Sequence, residues 1–295
     1  MSKANRLLKN LGRLRLPGRS PYHKEKKILA GRSVACRNDR RSILFGTIHK
    51  AASVYVWEVL KKVAKLQKLN SINFDGYYYR NGQLDHQLSV DHFQRRGFMY
   101  GPFRKGVGHI VDAEGNNTLD FDDYKIIVQL RDPRDALTSS YYSFLHSHCV
   151  LPKDRKRIEA VRNRMDGLDI DRHVIGQSGF LVNLLREYST FFSQPNCLVL
   201  HYEDFVQHPE AWSKKITNFL DLKGNAAVER VFRKMVTETR TRPSTENINL
   251  HKRKVTPGEY ATKLKPRTIK ILNDRFADYF EALDAQPAAA SKFAA

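Results

Sequence analysis

Three short apolar runs punctuate the chain, and each is followed by a segment of helical period. Ser42-Ile43-Leu44-Phe45-Gly46, after a polar lead-in that includes Asn38-Asp39-Arg40-Arg41, reads as a short buried strand. Residues 53–67 (SVYVWEVLKKVAKLQ) then carry apolar side chains at helical spacing, so Thr47 to Ala52 is a strand-to-helix loop. Lys125-Ile126-Ile127-Val128-Gln129-Leu130 has the β-branched richness of a parallel strand covered on both faces, and Pro133 suits the first turn of a helix over 133–147. Cys197-Leu198-Val199-Leu200-His201-Tyr202 is the third strand, leading to a helix over 209–221 that Pro209 opens. A last amphipathic helix spans 266–283 from Pro266, whereas the charged, weakly periodic stretch 153–172 reads as an acceptor-side loop or helix-loop insertion. Repeated β-then-α units predict an α/β fold: a three-layer α/β/α sandwich with a central parallel sheet.

No Gly/Ser- or Pro-rich linker and no internal repeat divides the middle of the chain, so one domain over 41–284 is expected. It is flanked by a basic N-terminal extension, 1–40, and a loose tail, 285–295. Within the extension, Ala4, Leu7, Leu8, Leu11 and Leu14 alternate with Lys3, Arg6, Lys9, Arg13 and Arg15. That is the pattern of a solvated basic tail or of a helix lying on a membrane surface.

Composition narrows the class. A hydrophobic share of 41% beside 28% charged residues, with no apolar run near the ~20 residues that cross a bilayer, argues against an integral membrane protein. The N-terminus lacks a signal peptide's apolar core, and Cys36, Cys149 and Cys197 are too few and scattered for a disulfide framework or a zinc motif, which favours a cytoplasmic setting, peripheral to a membrane in the second reading. Lys+Arg outnumber Asp+Glu by 51 to 31, a net +20, so the partner is expected to be anionic: a polyanion, an anionic lipid surface or a phosphorylated small molecule.

Chemistry concentrates in two loops. Gly46-Thr47-Ile48-His49-Lys50-Ala51-Ala52-Ser53-Val54-Tyr55 lies where a strand feeds a helix N-terminus, whose unpaired amides and positive dipole end favour an anion. Ala51, Ala52 and Ser53 are small enough for close approach, and Lys50 adds a mobile charge. The ATPase P-loop needs glycine immediately before the lysine, and His49 stands there. At the second strand, Arg131 at the C-terminal edge and Ser139 two helical turns on can converge on a terminal phosphate.

The chain resembles the PAPS-dependent sulfotransferases, which use 3′-phosphoadenosine 5′-phosphosulfate. Their P-K-S-G-T-T-W loop is similar to His49-Lys50-Ala51-Ala52-Ser53-Val54-Tyr55, and their 3′-phosphate motif to Arg131-Asp132-Pro133-Arg134-Asp135 with Ser139. Their Y-E-D element is matched by Tyr202-Glu203-Asp204, and their C-terminal R-K-G loop by Arg253-Lys254-Val255-Thr256-Pro257-Gly258. The resemblance implies a P-loop-like nucleotide-binding fold and transfer of a sulfuryl group from PAPS, leaving PAP, to a hydroxyl or amine of a glycan, glycolipid or small alcohol. It implies that Lys50 neutralises the breaking phosphosulfate bond and that Ser53 with the neighbouring amides of Ala51, Ala52 and Val54 holds the 5′-phosphate. Arg131, Ser139, Arg253 and Lys254 would hold the 3′-phosphate, Tyr55 and Tyr202 would contact adenine, and no metal is implied.

Three positions depart from the family pattern. Val54 replaces a loop hydroxyl, Val255 replaces the glycine after Arg253-Lys254, and the region of the family's K-T-H-x-P base reads Gly97-Phe98-Met99-Tyr100-Gly101-Pro102-Phe103-Arg104. His109 is the leading candidate for the missing general base, with His92 and Asp91 behind it. Rival readings are a nucleotide kinase with a degenerate P-loop and an inactive polyanion- or membrane-binding module on the same fold.

Overall fold

All three apolar runs are strands of one sheet in the computed structural model, which describes residues 21–83, 85–147, 159, 163, 167–241 and 256–285. In chain order the strands are β1 (Ile43–Thr47), β2 (Asn70–Ile72), β3 (Leu88–Ser89), β4 (Phe98–Phe103), β5 (Ile110–Val111), β6 (Lys125–Leu130) and β7 (Cys197–His201). Five of them form a parallel sheet in the order β2-β4-β1-β6-β7, while β3 and β5 pair separately.

The helices are α1 (His23–Leu29), α2 (Ser53–Leu66), α3 (Phe74–Asn81), α4 (Pro133–Tyr142), α5 (Ile170–Ser189), α6 (Tyr202–Gln207), α7 (Pro209–Phe219), α8 (Ala226–Arg240), α9 (Tyr260–Lys263), α10 (Pro266–Arg275) and α11 (Ala277–Asp284). None of the described helices is long and apolar enough to cross a membrane.

The sheet is buried because its central strands are apolar on both faces: every residue of β1 is buried, and β6 is buried from Ile126 onward. The chain leaves β1 toward the β2 edge but leaves β6 toward β7. The switch point therefore falls between β1 and β6, where α2 and α4 begin and where ligands of such sheets bind. Two buried side chains brace the sheet from the helices. The Tyr188 hydroxyl on α5 accepts from the Thr47 amide at 3.2 Å and donates to the Phe103 carbonyl at 2.7 Å, and Trp212 on α7 donates to Gln129 Oε1 at 3.0 Å. Phe45 and Trp57 stack at 6.2 Å, joining β1 to α2. Burying each such ring contributes about 1.5–3 kcal/mol.

Several boundaries differ from the sequence reading. The predicted 133–147 helix is α-helical only to Tyr142 and continues as a π-turn over Ser143–Ser147. The predicted 266–283 helix is two, because the chain breaks at Phe276, whose ring is buried. The third strand ends at His201, and Tyr202 begins α6. In the charged stretch 153–172 the described residues Glu159 and Asn163 are helical, and a long helix begins at Ile170. Within 1–40, α1 docks on the domain: Lys24 Nζ donates to Asn70 Oδ1 at 2.8 Å, and buried Glu25 accepts from the Asn73 amide at 2.7 Å. The amphipathic segment 4–16, most of 153–166 and the tail beyond residue 285 lie outside the described residues.

A candidate anion site between two strands

The loop after β1 is shaped to hold an anion. Lys50 and Ala52 both adopt left-handed backbone, at φ 69° and 57°, which costs a non-glycine residue roughly 1–3 kcal/mol and marks a conformation fixed by its surroundings. The turn buries Ala51 and delivers Ala52 as the N-cap of α2, where no side chain caps the first-turn amides. By contrast, Asn73 caps α3 and Asp132 caps α4. An uncapped helix start after a strand is a ready anion site. Lys50 is half-buried and His49 exposed, while the Val54 side chain is 62% exposed.

Arg131, at the end of β6, reaches this loop from the neighbouring strand. Its Nη1 donates to the Lys50 carbonyl at 3.1 Å, its Nη2 lies 3.5 Å from Asp135, and its guanidinium covers the Tyr202 ring at 4.4 Å. Only 5% exposed, it leaves Nε buried without a partner among the described residues. Ser139 is half-buried on α4, and among the described residues its hydroxyl makes no hydrogen bond. Asp135 does the anchoring: its Oδ2 accepts from the Gly258 amide at 2.6 Å and its Oδ1 from the Tyr260 amide at 3.0 Å, which brings the start of the C-terminal segment to β6. Arg134 points the other way, chelating Asp132 and stacking on Tyr260 at 4.1 Å.

Beside this pair, Glu203 on α6 accepts from the Asp132 amide at 3.1 Å, and burial pushes its carboxyl up to about 7. Tyr55 is half-buried on α2; its hydroxyl donates to Glu238 at 2.6 Å, and its ring centre lies 5.9 Å from that of Phe205. Lys50, Ser53 and Arg131 thus share one sheet edge, with Tyr202 beneath Arg131. Arg253 and Lys254 lie outside the described residues.

The sequence reading missed Arg104. It follows β4, and its Nε donates to Ser53 Oγ at 3.0 Å, so a second guanidinium faces the phosphate loop from the opposite strand. The Gly101-Pro102 pair masked this strand, and with it the residue that closes it. His109 reaches the loop only through intermediaries. Its Nε2 lies 3.5 Å from Asp75 Oδ1, and Asp75 Oδ2 accepts from the Arg104 amide at 3.3 Å. Burial alone would raise the Asp75 carboxyl, but the imidazoles of His109 and His86 facing its Oδ1 outweigh it and hold it well below the ordinary carboxylate range. His92 is half-buried against Phe74, ring centres 5.8 Å apart, and burial pushes its imidazole down; Asp91 is exposed and bonded to Ser89. A separate cavity of about 150 Å³, lined by Arg40, Arg41, Leu60 and Lys125 among others, opens at the far, N-terminal edge of the strands.

An uncapped strand-to-helix loop with a lysine, facing an arginine from the adjacent strand at the switch point of a parallel sheet, defines a P-loop-like nucleotide-binding α/β protein. The chain belongs to the sulfotransferase family: the family model described as "Sulfotransferase domain" matches residues 103–284, well over half its length. Among solved structures it is similar to mouse sulfotransferase SULT7A1 complexed with PAP, at 15% identity and a TM-score of 0.49, covering 87% of this chain and 89% of that one. A retinol dehydratase in complex with retinol and PAP aligns at 13% identity and 0.47, covering 83% of each chain. Sulfotransferase STF9 from Mycobacterium avium aligns at 17% identity and 0.38, covering 64% of this chain and 42% of that one. No curated protein matches the chain.

Proposed function

We propose that this sulfotransferase takes its sulfuryl group from PAPS and passes it to a hydroxyl or amine acceptor. The observation that carries the reading is the second anion arm: Arg131, buried and tied to the Lys50 carbonyl, with an Nε that has no partner among the described residues and with Ser139 nearby on the next helix. An ATP site has one phosphate chain to hold, whereas PAPS presents a 3′-phosphate and a 5′-phosphosulfate, and this edge offers a grip for each.

The residues fit those two groups. The amides of Ala51 and Ala52 just before α2 and of Ser53 and Val54 in its first turn, with Ser53 Oγ and Lys50, would hold the 5′ side. Arg131, Ser139, Arg253 and Lys254 would hold the 3′-phosphate, with Tyr55 and Tyr202 toward the base. PAPS supplies the activated sulfuryl group. Lys50 places a cation where charge develops on the leaving phosphate oxygen, a use of preplaced charge worth about 10²–10³ in rate. His109, held by Asp75, is the proposed acceptor of the nucleophile's proton, and Arg104 adds charge beside Ser53. The functional unit is taken as residues 41–284 in a cytoplasmic protein, with α1 docked on it and the basic sequence that precedes α1 the candidate contact for an anionic glycan or lipid surface.

PAP should raise the melting temperature at micromolar concentration, and Lys50→Ala should lower kcat by about 10²–10³ while still binding PAP. Stabilisation by ATP with Mg²⁺ but not by PAP would overturn the reading in favour of a kinase. Tight PAP binding with no transfer across an acceptor panel would mark an inactive module.

A further inference from the structure

From the geometry of Asp75, His86 and His109 we infer a binding site for one divalent transition-metal ion of the zinc class, apart from the phosphate grip. Asp75 Oδ1 lies 3.2 Å from His86 Nε2 and 3.5 Å from His109 Nε2, and one ligand atom from each of the three residues falls within 4.8 Å of the others. Donors around a tetrahedral zinc ion at 2.0–2.1 Å stand roughly 3.3 Å apart, so two of the three edges already have the needed length.

The fold builds this cluster from three separate segments. Asp75 sits in the first turn of α3, which Asn73 caps. β3 pairs with β5, and the Leu88 amide donates to the His109 carbonyl at 2.8 Å, so the segments carrying His86 and His109 run side by side. The His86 ring lies flat on Tyr78 of α3 at 4.1 Å, which fixes the imidazole toward Asp75. The Arg104 amide takes Asp75 Oδ2 and leaves Oδ1 aimed between the two rings, the outer contact that orients a metal-ligating carboxylate.

The environment points to a ligand as well. The three side chains are 11%, 7% and 14% exposed, and His109 Nε2 and both Nδ1 atoms are buried without a hydrogen bond among the described residues. Leaving such buried atoms unmet is costly, and a cation accepting the Nε2 lone pairs would relieve part of that cost. Two imidazoles with one carboxylate select a zinc-like ion over magnesium or calcium, which prefer all-oxygen sites. A bound ion would staple α3 to the segments bearing His86 and His109, beside Arg104 and Ser53.

The inference does not depend on PAPS and competes with the base role of His109, because an imidazole that binds a cation through Nε2 keeps its proton on Nδ1. The experiment titrates chelator-stripped full-length protein with Zn²⁺ and Co²⁺ by calorimetry and, for cobalt, by visible absorption. One equivalent per chain with the ligand-field bands of a four-coordinate ion is expected, lost in both His86→Ala and His109→Ala. His146 and His148, intact in those variants, supply the background of unspecific uptake. Circular dichroism and a urea melt verify that each variant folds, and if either alanine variant does not, His86→Gln replaces it. Uptake by the wild type no greater than by the variants, or an equivalent that survives both substitutions, overturns the site. Zinc-loaded protein that transfers sulfuryl groups as fast as the stripped enzyme would leave the metal site standing and remove His109 as the base.

Discussion

Arg131 donates through Nη1 to the main-chain carbonyl of Lys50 at 3.1 Å, so one guanidinium fixes the phosphate loop of β1 to the end of β6. The same group covers Tyr202 and pairs with Asp135, a fork-and-plane arrangement that a lysine cannot reproduce. Arg131→Lys keeps the charge and is expected to keep the fold, but to weaken PAP by roughly 1–3 kcal/mol, about five- to 150-fold in Kd. Calorimetric titration checks it, and an unchanged affinity would remove Arg131 from the proposed 3′-phosphate grip.

Asp135 holds the C-terminal segment against β6 through two backbone amides while almost fully buried. Asparagine can accept at only one of those oxygens and turns an NH₂ toward the other amide. Asp135→Asn should therefore destabilise the protein by about 2–4 kcal/mol, with faster hydrogen exchange at Gly258 and Tyr260. Protection at both amides equal to wild type would show that the tether is dispensable.

Gly46 tests how tightly β1 meets α5. A Cβ there would stand 2.6 Å from Tyr188 Cε1, and that ring cannot swing aside because its hydroxyl is bonded to both Thr47 and Phe103. Gly46→Ala is expected to cost roughly 1–3 kcal/mol in a urea or thermal melt. A variant as stable as wild type would mean that Tyr188 is free to shift.

What the sequence revealed follows from where each element finds its partners. β1, β6 and β7 were legible because strands buried on both faces are continuous apolar runs, and the phosphate loop because it lies between such a strand and an amphipathic helix. β4 was hidden by Gly97, Gly101 and Pro102, which break the apolar signal although all six of its residues are buried. α8 carries a readable helical stripe, Val228, Phe232, Met235 and Thr239, that went unused. The Asp75, His86 and His109 cluster was beyond reach, since its members follow no metal-binding spacing and meet only through the pairing of β3 with β5. Arg104 became a site residue only once β4 was seen to lie next to β1.

Glu203 gives the protein a dependence on pH whose sign can be worked out. Burial raises its carboxyl from an ordinary 4.5 to about 7, against the lowering effect of the Asp132 amide. A raised folded value means that its stabilising contribution is complete below pH 4.5 and is lost as pH rises through about 7, where a charged carboxylate must stay buried. His201 runs the opposite way: burial lowers its imidazole from 6.5 to about 4, so its contribution is complete above pH 6.5 and is lost as pH falls toward 4. The two offset each other in mildly acidic solution, but above neutrality only the cost of Glu203 remains. Glu203→Gln keeps an oxygen for the Asp132 amide and removes the charge. Its melting temperature relative to wild type should therefore rise between pH 5 and pH 8 by roughly 5 °C, the effect of ~1–3 kcal/mol in a chain of this size. A difference that stays constant across that interval would show that Glu203 does not titrate with a raised value.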